Sequence, residues 1–172
     1  MSTLKPAVNG NDHIEGPSSA PVEIVEFGDY QCPYCGQAYP IIKDIQVLFE
    51  GQIKFIFRNF PLQEIHPLAF LAAQSAEAAA LQGKFWEMHN AIYENQTGMS
   101  EEFFIKTATE IGLDMKQFKE DVASELVRER VEADFESGVR SGVNGTPSFY
   151  VNGQKFDGGA IDLRDMLNES AG

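Results

Sequence analysis

The 172-residue chain contains two cysteines, and only two residues lie between them, in Asp29-Tyr30-Gln31-Cys32-Pro33-Tyr34-Cys35. A pair with this spacing can close to a disulfide and reopen, or offer two thiolates to a metal. As a staple it would achieve little, because so small a loop removes little chain entropy. Its surroundings favour reactivity. Pro21-Val22-Glu23-Ile24-Val25-Glu26-Phe27 is β-branched and aromatic and ends at Gly28-Asp29, which predicts a buried strand over 22–27. After the pair, Tyr39, Ile42, Ile45 and Leu48/Phe49 recur at helical spacing and Gly51 closes the segment, which predicts a helix over 32–49. Cys32 then stands at a helix N-terminus. Unpaired N–H groups and the positive end of the helix dipole favour a thiolate there, and Pro33 fits a first-turn position where no N–H is needed. Thiols in such places titrate between about 3.5 and 7.5 rather than near 8.5, and a lower value makes a better leaving sulfur. Cys32, nearer the exposed end, is the expected nucleophile and Cys35, one turn further in, the resolving thiol. Pro33 and Tyr34 are expected to tune the redox balance of the pair.

A structural zinc site needs two further Cys or His ligands, and only His13, His66 and His89 remain, without a second paired-ligand motif. No metal ligands are therefore assigned, and no cofactor beyond the Cys32–Cys35 pair itself. His66, before Pro67, is expected to cap a helix, and His89 to lie on a helix surface or to pack. Tyr30 and Tyr34 border the cysteines and suit either substrate contact or packing, and the lone Trp86 reads as a core aromatic.

The composition sets the outer bounds. An apolar fraction of 43%, a charged fraction of 23% and the absence of any long apolar run suit a single globular domain without membrane insertion. The net charge of −13, with no basic cluster, repels nucleic acid phosphates and anionic surfaces. The first ten residues lack the continuous apolar stretch of a secretory leader. The expectation is thus a cytoplasmic location for the chain as written, or an extracytoplasmic one if a leader has been removed.

The remaining elements follow from pattern. Residues 53–60 form a second apolar strand stopped by Pro61, and strand–helix–strand implies parallel pairing by a right-handed crossover. An alanine-rich helix is expected over 67–82, opening with Pro67, and another over 84–95. A third opens at Ser100, a fourth at Asp114 with Gln117 as a capping box, and a fifth runs over 124–139 with Val127, Val131, Phe135 and Val139 on one face. Residues 148–151 and 154–157 flank Asn152-Gly153, the dipeptide suited to a type I′ hairpin, and a last helix covers 161–168. The order βαβ, helices, ββα predicts an α/β fold with a mixed four-stranded sheet and an all-helical insertion. The division is an extended arm over 1–20, the first sheet half over 21–62, the insertion over 63–142 and the second half over 143–172.

Glu26-Phe27-Gly28-Asp29-Tyr30-Gln31-Cys32-Pro33-Tyr34-Cys35 and Gly142-Val143-Asn144-Gly145-Thr146-Pro147-Ser148-Phe149, in this order around a helical insertion, resemble the DsbA-like thiol oxidoreductases of the thioredoxin superfamily, over about 12–168. The resemblance implies a thioredoxin-like fold and a protein-disulfide oxidoreductase. It further implies that the Thr146–Pro147 bond is cis, although only about 5–6% of X–Pro bonds are, and that the Thr146 backbone offers a substrate strand an N–H and a C=O beside Cys32. Glu26, six residues before Cys32, matches the buried acid that handles the resolving cysteine's proton in such proteins, a role that a raised pKa in a buried strand would suit; its plainer reading is a strand-edge charge like Glu23. The implied partners are protein or peptide thiols and disulfides and a redox partner. Pro33-Tyr34 resembles glutaredoxins, and a threonine before Pro147 resembles isomerases and reductases, so the direction of exchange stays open. Two alternatives use the same residues: a metal- or iron–sulfur-binding module, and a glutathione-dependent transferase or isomerase.

Overall fold

In the computed structural model, which describes residues 2–171, the elements run β1 (His13–Glu15), β2 (Val22–Gly28), α1 (Pro33–Leu48), β3 (Ile53–Asn59), α2 (Ala69–Ala80), α3 (Phe85–Glu94), α4 (Glu101–Glu110), α5 (Met115–Val122), α6 (Glu125–Ser141), β4 (Ser148–Val151), β5 (Gln154–Phe156) and α7 (Ala160–Ala171). The chain groups into two units. One takes the chain up to Gly28, Pro33–Arg58 and the chain from Glu136 onward; the other takes Asp29–Cys32 and Asn59–Phe135. The four residues before α1, Cys32 among them, thus belong with the helices rather than with the sheet, and the last turns of α6 belong with the sheet.

The first unit is built on one mixed sheet of order β1-β3-β2-β4-β5. Its central strands are apolar on both faces, as strands covered on both sides must be: Ile24, Val25 and Phe27 in β2, Phe55, Ile56 and Phe57 in β3, and Phe149 and Tyr150 in β4 are all buried. Helix α1 buries Cys35, Ala38, Ile42 and Ile45, a stripe at helical spacing, and packs beside α7. Asn152 (φ 48°) and Gly153 (φ 86°) both take the left-handed conformation that a type I′ turn requires, and the Asn152 carboxamide also accepts Glu23 N–H at 2.8 Å.

The sheet has five strands where four were expected, because β1 lies within the segment read as an extended arm. It pairs antiparallel with β3, Ile14 opposite Ile56. Three residues are too few to give a periodic signal, yet they cover backbone groups that β3 would otherwise expose. The residues before it cover the other edge: Leu4 N–H donates to Gly153 O and Lys155 N–H to Ser2 O, both at 2.9 Å. Arg58, 2% exposed, ties the arm down. It forms a two-pronged pair with Asp12 (2.8 Å each) and donates to Ser137 Oγ (3.0 Å) and Pro6 O (2.9 Å).

The helical unit centres on α2, whose buried Ala69, Ala72, Ala73, Ala76, Ala78 and Ala79 let α3, α4 and α5 approach closely. Ser100 accepts Phe103 N–H (3.0 Å) and caps α4. Asp114 accepts Gln117 N–H (3.0 Å), but the box is not reciprocal: Asp114 N–H goes to Gln82 Oε1 (2.9 Å) and the Gln117 amide to Asp121 (2.8 Å). Helix α2 begins at Ala69 rather than Pro67, with Leu68 as its N-cap, because the 66–68 segment is drawn into a turn. On α6, Val127 and Val131 are buried but Val139 is 57% exposed, so the expected apolar stripe does not reach the end of the helix. Among the described residues, no helix is long and apolar enough to cross a membrane.

Candidate active site

Strand β2 ends at Gly28, and four residues later Cys32 directly precedes α1. Cys35 lies within the first turn of that helix. Cys32 is 4% exposed and Cys35 0%. Cys32 is more enclosed than a helix N-terminus alone suggests, and every residue of its loop is hydrogen-bonded within the helical unit. Asp29 Oδ1 accepts Gln31 N–H (2.8 Å), and its Oδ2 accepts Leu62 N–H (3.0 Å) and His66 Nδ1–H (2.7 Å). The Tyr30 hydroxyl and His89 Nδ1 share a buried hydrogen bond of 2.8 Å. Gln31 Oε1 accepts Leu68 N–H (2.7 Å), and the Gln96 amide donates to Tyr30 O (2.9 Å) and Cys32 O (2.8 Å). A turn bond from Cys32 N–H to Asp29 O (3.1 Å) closes the loop on itself.

Several side chains have roles their sequence positions did not announce. The His66 side chain holds the Asp29 carboxylate rather than capping α2. His89 is 2% exposed and sits among the rings of Tyr30, Phe85, Trp86 and Tyr93, so it is not on a helix surface. The two tyrosines separate: Tyr30, 1% exposed, is a packing residue, whereas Tyr34 is 69% exposed and available for contact. Asp29 and Gln31 stand within the cysteine motif, but their partners lie far along the chain, and nothing in its local sequence marks Gln96.

Glu26, Pro33, Tyr34, Cys35, Thr146 and Pro147 all belong to the sheet unit. Glu26 is 3% exposed and lies opposite Phe149 in the β2–β4 register, whereas Glu23 is partly exposed and pairs with Lys54 at 3.5 Å. Glu26 is therefore not a strand-edge charge. The Thr146–Pro147 bond is cis and leads directly into β4. On this unit a mainly apolar groove of about 460 Å³ is lined by Tyr34, Ile41, Thr146, Pro147, Ala160 and Ile161, among others.

The five-stranded mixed sheet, its helical unit and the Cys-Pro-Tyr-Cys sequence at the start of α1 together define a thioredoxin-like fold. The thioredoxin family profile matches residues 8–167, and the chain belongs to that family. Among solved structures it is similar to BdbD from Bacillus subtilis (27% identity, TM-score 0.83, covering 98% of this chain and 95% of that one). It is also similar to a thioredoxin-like oxidoreductase from Silicibacter pomeroyi (28% identity, TM-score 0.77, covering 95% and 94%). Among curated proteins it is 39% identical over 158 residues to the Na(+)/H(+) antiporter NhaA 3 of Salinispora tropica; the match covers 92% of this chain but only 24% of that relative. The chain thus spans about a quarter of the length of the curated relatives it matches.

Proposed function

We propose that the chain exchanges disulfides with protein or peptide thiols, with Cys32 as the nucleophile, Cys35 as the resolving thiol and the pair itself as the redox carrier. The observation that carries this reading is the position of Cys32 directly before α1 with Cys35 in the helix's first turn. Helix N–H groups and the dipole favour charge on Cys32, while Cys35 is sealed and reacts only with its neighbour.

In the oxidising direction, a substrate thiolate attacks Cys32 Sγ of the Cys32–Cys35 disulfide, and Cys35 leaves as a thiolate. A second substrate thiolate then attacks the substrate sulfur of the mixed disulfide and releases Cys32. Two electrons pass to the pair, and the substrate's two protons pass to it or to solvent. The reverse sequence reduces a substrate disulfide. Glu26, buried in β2, is suited to take and return the Cys35 proton. The Thr146 backbone and the groove walls formed by Tyr34 and Ile161, both more than half exposed, suit an extended peptide with apolar side chains.

The test is dithiothreitol-coupled insulin reduction together with adduct trapping. Cys32→Ser is expected to abolish turnover and Cys35→Ala to accumulate a covalent substrate adduct; undiminished turnover in the Cys32 variant overturns the assignment. The reduction potential of the pair then fixes the direction, with oxidants near about −120 mV and reductants near about −270 mV.

A further inference from the structure

Of the four residues that lead into α1, Tyr30 and Cys32 have backbone carbonyls gripped by one side chain. Gln96 Nε2 lies 2.9 Å from Tyr30 O and 2.8 Å from Cys32 O. A carboxamide nitrogen carries two N–H donors, and here each has its own acceptor at ordinary hydrogen-bond length. The support for Gln96 is itself fixed. It opens a short 3-10 turn, Gln96–Gly98, directly after α3, in which Gly98 N–H donates to Asn95 O (3.0 Å) and the Asn95 amide donates to Ala91 O (2.9 Å).

We propose that Gln96 is a positioning residue for Cys32, whose two amide hydrogens hold the carbonyls of Tyr30 and Cys32 and offset their negative charge next to the sulfur that must become a thiolate. This rests on the reading of Cys32 as the nucleophile. The effect is electrostatic and conformational. Carbonyl oxygens carry partial negative charge, and two of them beside a forming thiolate oppose its ionisation. The carbonyl of a residue just before a helix already accepts the first intrahelical bond, and Gln96 takes up its second lone pair. The contact also pins the Tyr30–Gln31 and Cys32–Pro33 peptide groups to a helix end 64 residues from Cys32, so the sulfur is presented in one geometry. The other ties on this loop act elsewhere: Asp29 binds the 61–66 segment, Gln31 the start of α2, and Tyr30 the ring cluster around His89.

The experiment titrates the Cys32 thiolate by its absorbance near 240 nm in the full chain carrying Cys35→Ala, so that one sulfur is read. Gln96→Met keeps the side-chain length and removes both donors; its midpoint should rise by about half a pH unit, roughly threefold in the ionisation constant, and alkylation of Cys32 at neutral pH should slow to match. Gln96→Lys, which restores donors, should titrate at or below the parent value. A role in packing alone predicts no shift for Met, or an equal shift for Met and Lys, and either result overturns the proposal. Should the Met variant not fold, Gln96→Glu replaces it: acceptors facing two carbonyls should raise the midpoint well above that of the Lys variant, and equal midpoints refute the assignment. Insulin reduction by the unmodified protein separates this proposal from the functional reading. Turnover with an unshifted Met variant removes only the role of Gln96, whereas a shifted titration without turnover removes only the exchange activity.

Discussion

Replacing Gly28 with alanine measures how tightly the end of β2 is built around Glu26. A Cβ at this position would lie 2.5 Å from Phe57 Cε1 and 2.9 Å from Glu26 Oε2. Carbon atoms pack best at about 3.5–4.0 Å, so the added methyl would overlap the ring by about 1 Å. Neither neighbour has room to retreat, since Phe57 is 0% exposed and Glu26 3%. Overpacking of this kind costs about 1–3 kcal/mol, and the smaller conformational freedom of alanine in the unfolded chain offsets about 0.4–1 kcal/mol of it. The net expectation is a loss of about 1–2 kcal/mol, or roughly 2–8 °C in Tm for a chain of this size. Urea unfolding followed by far-UV circular dichroism reads the loss as a lower midpoint. Under the role proposed for Glu26 the variant carries a functional signature as well: where relief of the overlap displaces the Glu26 carboxylate, Cys35 should resolve mixed disulfides more slowly. Gly10→Ala, whose Cβ would meet nothing within 4 Å, serves as the control and should change neither quantity. A Gly28 variant as stable as the parent would refute the argument, because it would mean that the carboxylate and the ring are free to give way.

Breaking the buried pair at the arm by Asp12→Ala leaves the Arg58 guanidinium uncompensated. A loss of about 3–5 kcal/mol is expected by chemical denaturation, and the double variant Arg58→Met/Asp12→Leu should lose clearly less than the sum of its single changes. In the helical unit, burial raises the Asp134 pKa from 3.8 to about 6; nearby Glu77 pushes the same way, and Arg130 and the Asn59 N–H act against both. Because the folded value lies above the unfolded one, this group's stabilising contribution is complete below about pH 4 and fades as pH rises through about 6. Asp134→Asn removes that titration. The stability of the variant relative to the parent should therefore climb by on the order of 2 kcal/mol between about pH 4 and 7, and a pH-independent difference would refute the assignment.

Features that depend on residues a few positions apart were legible in the chain itself. The strand before the cysteines, the helix after them, the Ser100 and Asp114 caps and the Asn152-Gly153 turn all rest on local propensity and short hydrogen bonds. The placement of Cys32 before a helix and Cys35 inside it follows from the same local rules. The cis bond at Thr146–Pro147 and the role expected of Glu26 came from resemblance, since neither spacing nor composition marks them. The fold decided which distant polar groups meet. Gln96 reaches the Cys32 carbonyl across 64 residues, His66 and Asp29 pair across 37, and Arg58 and Asp12 across 46. Strand β1 was hidden for a related reason, because three residues become a strand only when β3 offers them an edge. Hydropathy repeats report which face of an element turns inward, but an amide or carboxylate has many possible partners in a linear chain. Only the packing of helices and sheet leaves each of them one partner at hydrogen-bond distance.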